Sequence, residues 1–313
     1  MLTHNSDFDT PSDFDHLFGR SAPLVLEVGF GDGRYLEHLA AAHPEWNLLG
    51  AEVSLGSVWR AYRRMKRCGA DHVRLYKGSG RFVVRDAMPE QKLHRVYVNF
   101  PDPWPRKKHL KNRLLQVPFF QILSSRLEPG GDLLLTTDHP EYFAFSVEQG
   151  KASGCFDVEE GTPPPATLRT KYAMKWLEQD KPIYHARFTV NNVVDAPEPR
   201  NMLIPMQHAI LDGSLSDVGS FEKQVRPFKG GHAIVLEAYR DLSSDGLLFK
   251  AVSEESDLRQ ELMIQAWPHE NGGVLVSLQP FGNPMTTKGV REAVMAVSDW
   301  LVGQGLTLRK AWV

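Results

Sequence analysis

Between residues 24 and 138 the chain repeats one grammar: a short, nearly unbroken apolar run, a stretch with helical spacing, then another apolar run. Segments 24–30 (LVLEVGF), 47–54 (NLLGAEVS), 73–78 (VRLYKG), 93–100 (LHRVYVNF) and 133–138 (LLLTTD) read as strands. Segments 34–44, 57–69 and 118–130 read as helices between them. Strands apolar on both faces need cover on both faces, and strands joined through helices run parallel. This predicts an α/β domain with a Rossmann-like, mostly parallel sheet and helices on both of its faces. A helix at 141–154, a strand at 156–160, a loop at 161–172 and a last strand at 183–190 continue it.

The grammar stops on both sides of this unit. Residues 1–20 repeat SDFD at 6–9 and 12–15, with isolated phenylalanines among small acidic residues, and read as a flexible N-terminal tail, with an ordered cap as the alternative. The main domain is set at 21–193. Proline and charge in VDAPEPR mark a linker at 194–205. Residues 206–313 read as a smaller α+β accessory domain, with strands at 232–242, 246–256, 259–269 and 272–280, an amphipathic helix at 288–306 and a terminal strand at 308–313. No motif there points to a chemistry. Cys68 and Cys155 have no metal-ligand spacing, so both read as free thiols and no metal is expected. No apolar run approaches the ~20 residues of a membrane span, and the acidic N-terminus does not resemble a secretory leader. The expectation is a cytoplasmic protein without a membrane partner, a monomer with a homodimer as the alternative.

The first strand ends in EVGFGDG. Gly29 and Gly31 permit a tight turn and close approach of a ligand, and the helix that follows offers free N–H groups. Glu52 ends the second strand about 20 residues on, where a carboxylate can accept both hydroxyls of a ribose. Together these point to a nucleoside-containing cofactor. The spacing departs from the dinucleotide fingerprint, and the acidic Glu27 suits a cationic sulfonium amino acid better than a pyrophosphate. S-adenosylmethionine is therefore favoured over a nicotinamide cofactor or an empty glycine turn.

The fourth strand runs into Asn99 and FPDPWP. Three prolines in five residues stiffen a loop at the carboxyl end of a central strand, where open parallel sheets place their ligands. Asp102 can accept hydrogen bonds from a base edge and Trp104 can stack; the alternative is a stiff turn with Trp104 in the core. Arg106, Lys107, Lys108, Lys111 and Arg113 follow at once and form a candidate phosphate track. A second basic run, Arg60, Arg63, Arg64, Lys66 and Arg67, reads equally as a solvated helix face or as an RNA contact. The formal net charge of −2 lends no global support to a nucleic-acid partner.

Taken in order, EVGFGDG, GAEVS, NFPDPWPRKKHLKNRL, PGGDLLLTTDHPEY and LRTKY resemble the bacterial tRNA (guanine-N7)-methyltransferase family over roughly residues 22–190. The resemblance implies a class I methyltransferase fold, S-adenosylmethionine as cofactor, tRNA as partner and 7-methylguanine at position 46 of the variable loop as product. It implies that Glu27, Gly29, Gly31, Glu52, Ser79 and Asp102 bind the cofactor. Asp102 is also the implied catalytic residue, and Arg106, Asp138, Thr170, Lys171 and Tyr172 bind the substrate. Two positions depart from the family pattern: Ser79 stands where Asp or Asn is common, and Ala173 where glutamate often follows the TK-aromatic piece. The alternative activity is methylation of another RNA, a protein or a small molecule, which would not need the basic run after FPDPWP. A nicotinamide oxidoreductase or an RNA-binding protein with a dead fold are further rivals.

Overall fold

The computed structural model describes residues 1–169, 181–195, 208–255 and 258–312. The chain divides into two compact units, Met1–Pro199 and Arg200–Val313, and the division falls inside the stretch read as a linker. Among the described residues, no helix is long and apolar enough to cross a membrane.

The first unit is built on an eight-stranded sheet of β1 (Leu2–Thr3), β2 (Leu24–Val28), β3 (Asn47–Glu52), β4 (Val73–Lys77), β5 (Leu93–Asn99), β6 (Leu127–Thr137), β7 (Phe156–Gly161) and β8 (Tyr184–Val190). Their order is β1-β4-β3-β2-β5-β6-β8-β7. Strands β1 to β6 run parallel to one another, and β8 enters antiparallel between β6 and β7. Strand order therefore reverses at β2, which puts the topological switch point between β2 and β5. Helices α1 (Phe14–Phe18), α2 (Arg34–Ala42), α3 (Leu55–Cys68), α4 (Gly80–Phe82), α5 (Val117–Arg126) and α6 (Pro140–Ala152) connect the strands. A π-helical turn at Val83–Ala87 extends α4. Strands β2 and β3 are buried along nearly their whole length, as unalternating apolar runs require.

Two expectations change here. Residues 1–20 are not a loose tail. β1 adds to the sheet edge beside β4, and Phe8, Phe14 and Phe18 are all buried. The Phe8 ring meets Tyr76 edge-on at 5.0 Å, and the Tyr76 hydroxyl donates to Asn5 Oδ1 at 2.7 Å. Asp13 caps α1 by accepting from the His16 N–H, and Gly19 ends it in the left-handed region. Composition hid this, because the acidic residues face outward while the Phe14/Phe18 pair, four apart, turns inward. Helix α5 also stops at Arg126 rather than at residue 130, since Leu127 already begins β6.

The second unit is a seven-stranded antiparallel sheet with one long helix, α7 (Lys288–Gly303), packed on it. Its strands are β9 (His208–Asp212), β10 (Gln224–Phe228), β11 (Gly231–Arg240), β12 (Leu247–Glu255), β13 (Leu258–Pro268), β14 (Val274–Leu278) and β15 (Thr307–Trp312), in the order β10-β11-β12-β13-β14-β9-β15. Phe249, Val276, Val290 and Val297 are among the residues of its core. The sequence reading missed β9 and β10. β10 carries Pro227 and little apolar alternation, and it sits at the sheet edge, where a proline is tolerated.

Candidate active site

The sheet gathers the sequence candidates along its carboxyl edge. The glycine loop follows β2, Glu52 closes β3, Ser79 follows β4, Asp102 lies three residues beyond β5 and Asp138 directly follows β6. The register puts Val28 beside Val98 and Asn99 beside Thr136. The loops carrying Gly29, Asp102 and Asp138 thus leave three adjacent strands. Thr170, Lys171, Tyr172 and Ala173 lie outside the described residues.

Glu27 is the least expected feature of this edge. It is 2% exposed in β2, and one carboxylate oxygen accepts from Asn99 Nδ2 at 3.2 Å. The other oxygen, Oε2, is buried without a hydrogen-bond partner, and so is Asn99 Oδ1. Burial pushes the Glu27 carboxyl up to about 8; the Asn99 hydrogen bond pulls it down, and repulsion from Glu52 and Asp32 adds to the rise. Two unpartnered buried acceptors side by side are costly unless a donor arrives. Asn99 was not singled out from the sequence. Its signal was a lone polar residue closing an apolar strand beside FPDPWP.

The glycine loop follows Glu27 directly at the end of β2. Gly29 and Gly31 hold φ of 77° and 58°, and a Cβ on either would meet nothing within 4 Å. The space in front of the loop is free, and a side chain would both strain the turn and fill the cradle. Glu52 braces the loop: its Oε2 accepts from the Gly31 N–H at 3.0 Å and its Oε1 from the Ser54 N–H at 2.8 Å. Each oxygen keeps a lone pair for an incoming hydroxyl. Ser79 caps α4 by accepting from the Arg81 N–H at 3.2 Å, so its hydroxyl is already half engaged.

Part of the second basic run serves the same loop. Arg64 donates to the Asp32 carbonyl at 3.1 Å and pairs with Glu37 at 2.6 Å, tying α3 to the turn and to α2. Arg64 is therefore a brace.

The FPDPWP corner is rigid for reasons beyond its prolines. Phe100 and Trp104 adopt φ of 50° and 43°, in the left-handed region that non-glycine residues avoid. Arg113 holds them there. It was expected in the phosphate track, yet it is 4% exposed, and the structure corrects that reading. Its Nε donates to the Pro103 carbonyl at 2.9 Å, and its guanidinium lies 4.7 Å from the Phe145 ring centroid. Arg81 and Gln116 donate in turn to the Arg113 carbonyl. Asp102 is exposed, and Trp104 is 36% exposed, so the indole is not core filling. Arg106, Lys107, Lys108 and Lys111 are exposed, so the candidate track is reduced to these four. Asp138 is half-buried, beside His139, which caps α6.

An edge of this kind can hold a cationic group at Glu27 and Asn99, a ribose at Glu52 and a flat anionic polymer beyond Asp102. Comparison with known proteins agrees with that chemistry. A family model described as "Putative methyltransferase" matches residues 21–186. A tRNA (guanine-N(7)-)-methyltransferase of Thermus thermophilus is 45% identical over 95% of this chain and 94% of its own length. The enzymes of that name from Deinococcus radiodurans and Thermotoga maritima are 40% and 31% identical, over 99% and 94% of this chain and 99% and 94% of their own. These alignments continue past the end of the family model into the second unit. The chain belongs to the bacterial tRNA (guanine-N7)-methyltransferase family.

Proposed function

We propose that this chain transfers the methyl group of S-adenosylmethionine to N7 of guanine 46 in the variable loop of tRNA. The observation that carries the reading is the buried, half-satisfied Glu27–Asn99 pair at the switch point, beside an open glycine cradle and the Asp102 corner. The residues fit the cofactor. Glu27 Oε2 and Asn99 Oδ1 are acceptors awaiting a donor, as an amino-acid ammonium would be, and Glu52 has lone pairs free for ribose hydroxyls. Gly29, Gly31 and Ser79 would line the rest of that site. When bound, S-adenosylmethionine supplies an electrophilic methyl carbon on a cationic sulfur.

Guanine N7 already carries an in-plane lone pair, so no proton must leave before it attacks. The chain accordingly needs alignment more than a strong base. The stiff corner positions Asp102 against a guanine turned out of its stack, where the carboxylate stabilises the positive charge that develops on the purine. Asp138, Thr170 and Tyr172 orient the base; Arg106 and Lys171 grip phosphates. Position 46 and the roles of residues 170–172 follow the family resemblance.

Incubating the chain with methyl-labelled cofactor and unmodified tRNA, followed by nucleoside analysis and position mapping, tests the assignment; label in 7-methylguanosine at position 46 is expected. Asp102→Ala should lower kcat about 100-fold or more while cofactor binding stays measurable. Label in another nucleoside, or near-normal turnover of that variant, would refute the corresponding part.

A further inference from the structure

Helix α3 carries five cations and no acid in fourteen residues, in a chain whose net charge is −2. Its core face is Ser57, Val58, Ala61 and Met65. The opposite face presents Trp59, 46% exposed, with Arg63, Lys66 and Arg67, all exposed. Among the described residues no acid lies within ion-pair distance of those three cations, in contrast to Arg64, which is spent on Glu37 and the glycine loop. Trp59 sits edge-on to Tyr62 at 5.5 Å, and Lys66 lies over the Tyr62 ring at 5.9 Å. An open groove of about 520 Å³ adjoins this face; Asp32 is its one acid, against Arg60, Arg63, Arg64, Lys66 and Arg67, and Tyr62 completes the lining. Leu55 and Val53, 56% and 70% exposed, lead from it toward Glu52.

A merely solvated helix face needs neither an exposed tryptophan nor like charges left unbalanced at three- and four-residue spacing, where they repel one another. An anionic polymer supplies the balance: phosphates neutralise the cations, and a base or ribose covers the indole. We propose that the outer face of α3 is a second tRNA-binding surface, distinct from the Arg106–Lys111 track, gripping the backbone with Arg63, Lys66 and Arg67 and stacking on Trp59. The helix begins three residues after Glu52 and runs back along the flank of the sheet. Arg63 to Arg67 span about 6 Å of its axis at ~1.5 Å per residue. The surface therefore holds tRNA on the Glu52 side, while the track beyond Asp102 holds it on the other. This inference rests on the tRNA reading above.

The test is the triple variant Arg63→Gln, Lys66→Gln, Arg67→Gln in the full chain, with Trp59→Ala beside it. Wild type, triple variant and a neutralised track (Lys107→Gln, Lys108→Gln, Lys111→Gln) are compared for tRNA affinity from 50 to 300 mM salt. The triple variant should lose at least tenfold in tRNA affinity near 100 mM salt. Its slope of log affinity against log salt should shrink by about 2, at roughly 0.7–0.9 for each phosphate no longer neutralised. S-adenosylmethionine affinity and melting temperature should stay at wild-type values. Trp59→Ala should cost about tenfold with the slope unchanged. An unaltered affinity and slope in the triple variant, while the neutralised track loses both, overturns the proposal and leaves tRNA methylation standing. A change in sedimentation of the triple variant with tRNA affinity intact overturns it in favour of a contact between copies of the chain. Failure of the wild type to bind tRNA overturns the underlying reading with it.

Discussion

Glu27 and Asp132 are both buried carboxylates of the parallel sheet, 2% and 1% exposed, yet the two ends of the sheet treat them differently. Asp132 lies toward the amino-terminal edge. It accepts from Arg95 at 2.6 and 2.8 Å and from Arg187 at 2.7 Å, linking β5, β6 and β8. Glu27 lies toward the carboxyl-terminal edge with one neutral donor, Asn99, and one oxygen without a partner. A buried charge matched within the chain secures the fold. A buried acid left unmatched costs stability, and its neighbours' repulsion adds to the cost. The second arrangement makes physical sense only where an outside donor completes it. The difference separates residues that hold the sheet together from residues that prepare a site.

The strongest way to break this contrast is to remove the structural acid. Asp132→Ala leaves two guanidinium groups without their anion. It should lower the unfolding free energy of the full chain by about 3 kcal/mol, a fall of about 6–12 °C in melting temperature for a unit of this size. Cofactor affinity of the folded fraction should be retained. A melting curve indistinguishable from wild type would erase the distinction between the two edges. Next in size is Arg113→Ala, which frees the Pro103 carbonyl and the strained corner from their anchor. We expect kcat/KM on tRNA to fall about 30-fold, as loosened alignment would cause, with cofactor affinity within twofold of wild type. Equal losses in both would mean that Arg113 supports the whole edge rather than the corner.

How far these roles were legible in the sequence depended on periodicity. Parallel strands buried on both faces announce themselves as apolar runs, and β2 to β5 were read close to where they lie, whereas only the carboxyl half of β6 was read as strand. The N-terminal segment was misread because its few phenylalanines pack through long-range contacts with Tyr76 and Phe82 that no local pattern displays. Motif spacing singled out Glu27, Glu52 and Asp102, the family resemblance added Ser79 and Asp138, and the sheet places all five toward one edge. Charge alone did not sort Arg64, Arg106 and Arg113. One braces the glycine loop, one is exposed, and one is buried beneath a carbonyl; only tertiary partners tell them apart. Asn99 escaped notice because its importance lies in the bond it makes across to β2.

The unmatched acid has a pH signature of its own. Its folded-state value near 8 lies above the ordinary 4.5, so the unliganded protein binds an extra proton between those values. That contribution to stability is complete below about pH 4.5 and is lost as pH rises through about 8, at up to ~1.4 kcal/mol per pH unit. Glu27→Gln should remove this slope, keep or raise the melting temperature at pH 8, and weaken S-adenosylmethionine binding about tenfold.

Calorimetric titration of S-adenosylmethionine at pH 7.0, in two buffers of different ionisation enthalpy, reaches the central claim most directly. At that pH the α-amino group of the cofactor, with a usual value of about 7.7–8.0, is still mostly protonated. If the cofactor's ammonium docks on Glu27, wild type must ionise that carboxyl and release close to one proton per molecule bound, whereas Glu27→Gln releases none. Identical proton counts for the two proteins would contradict the account.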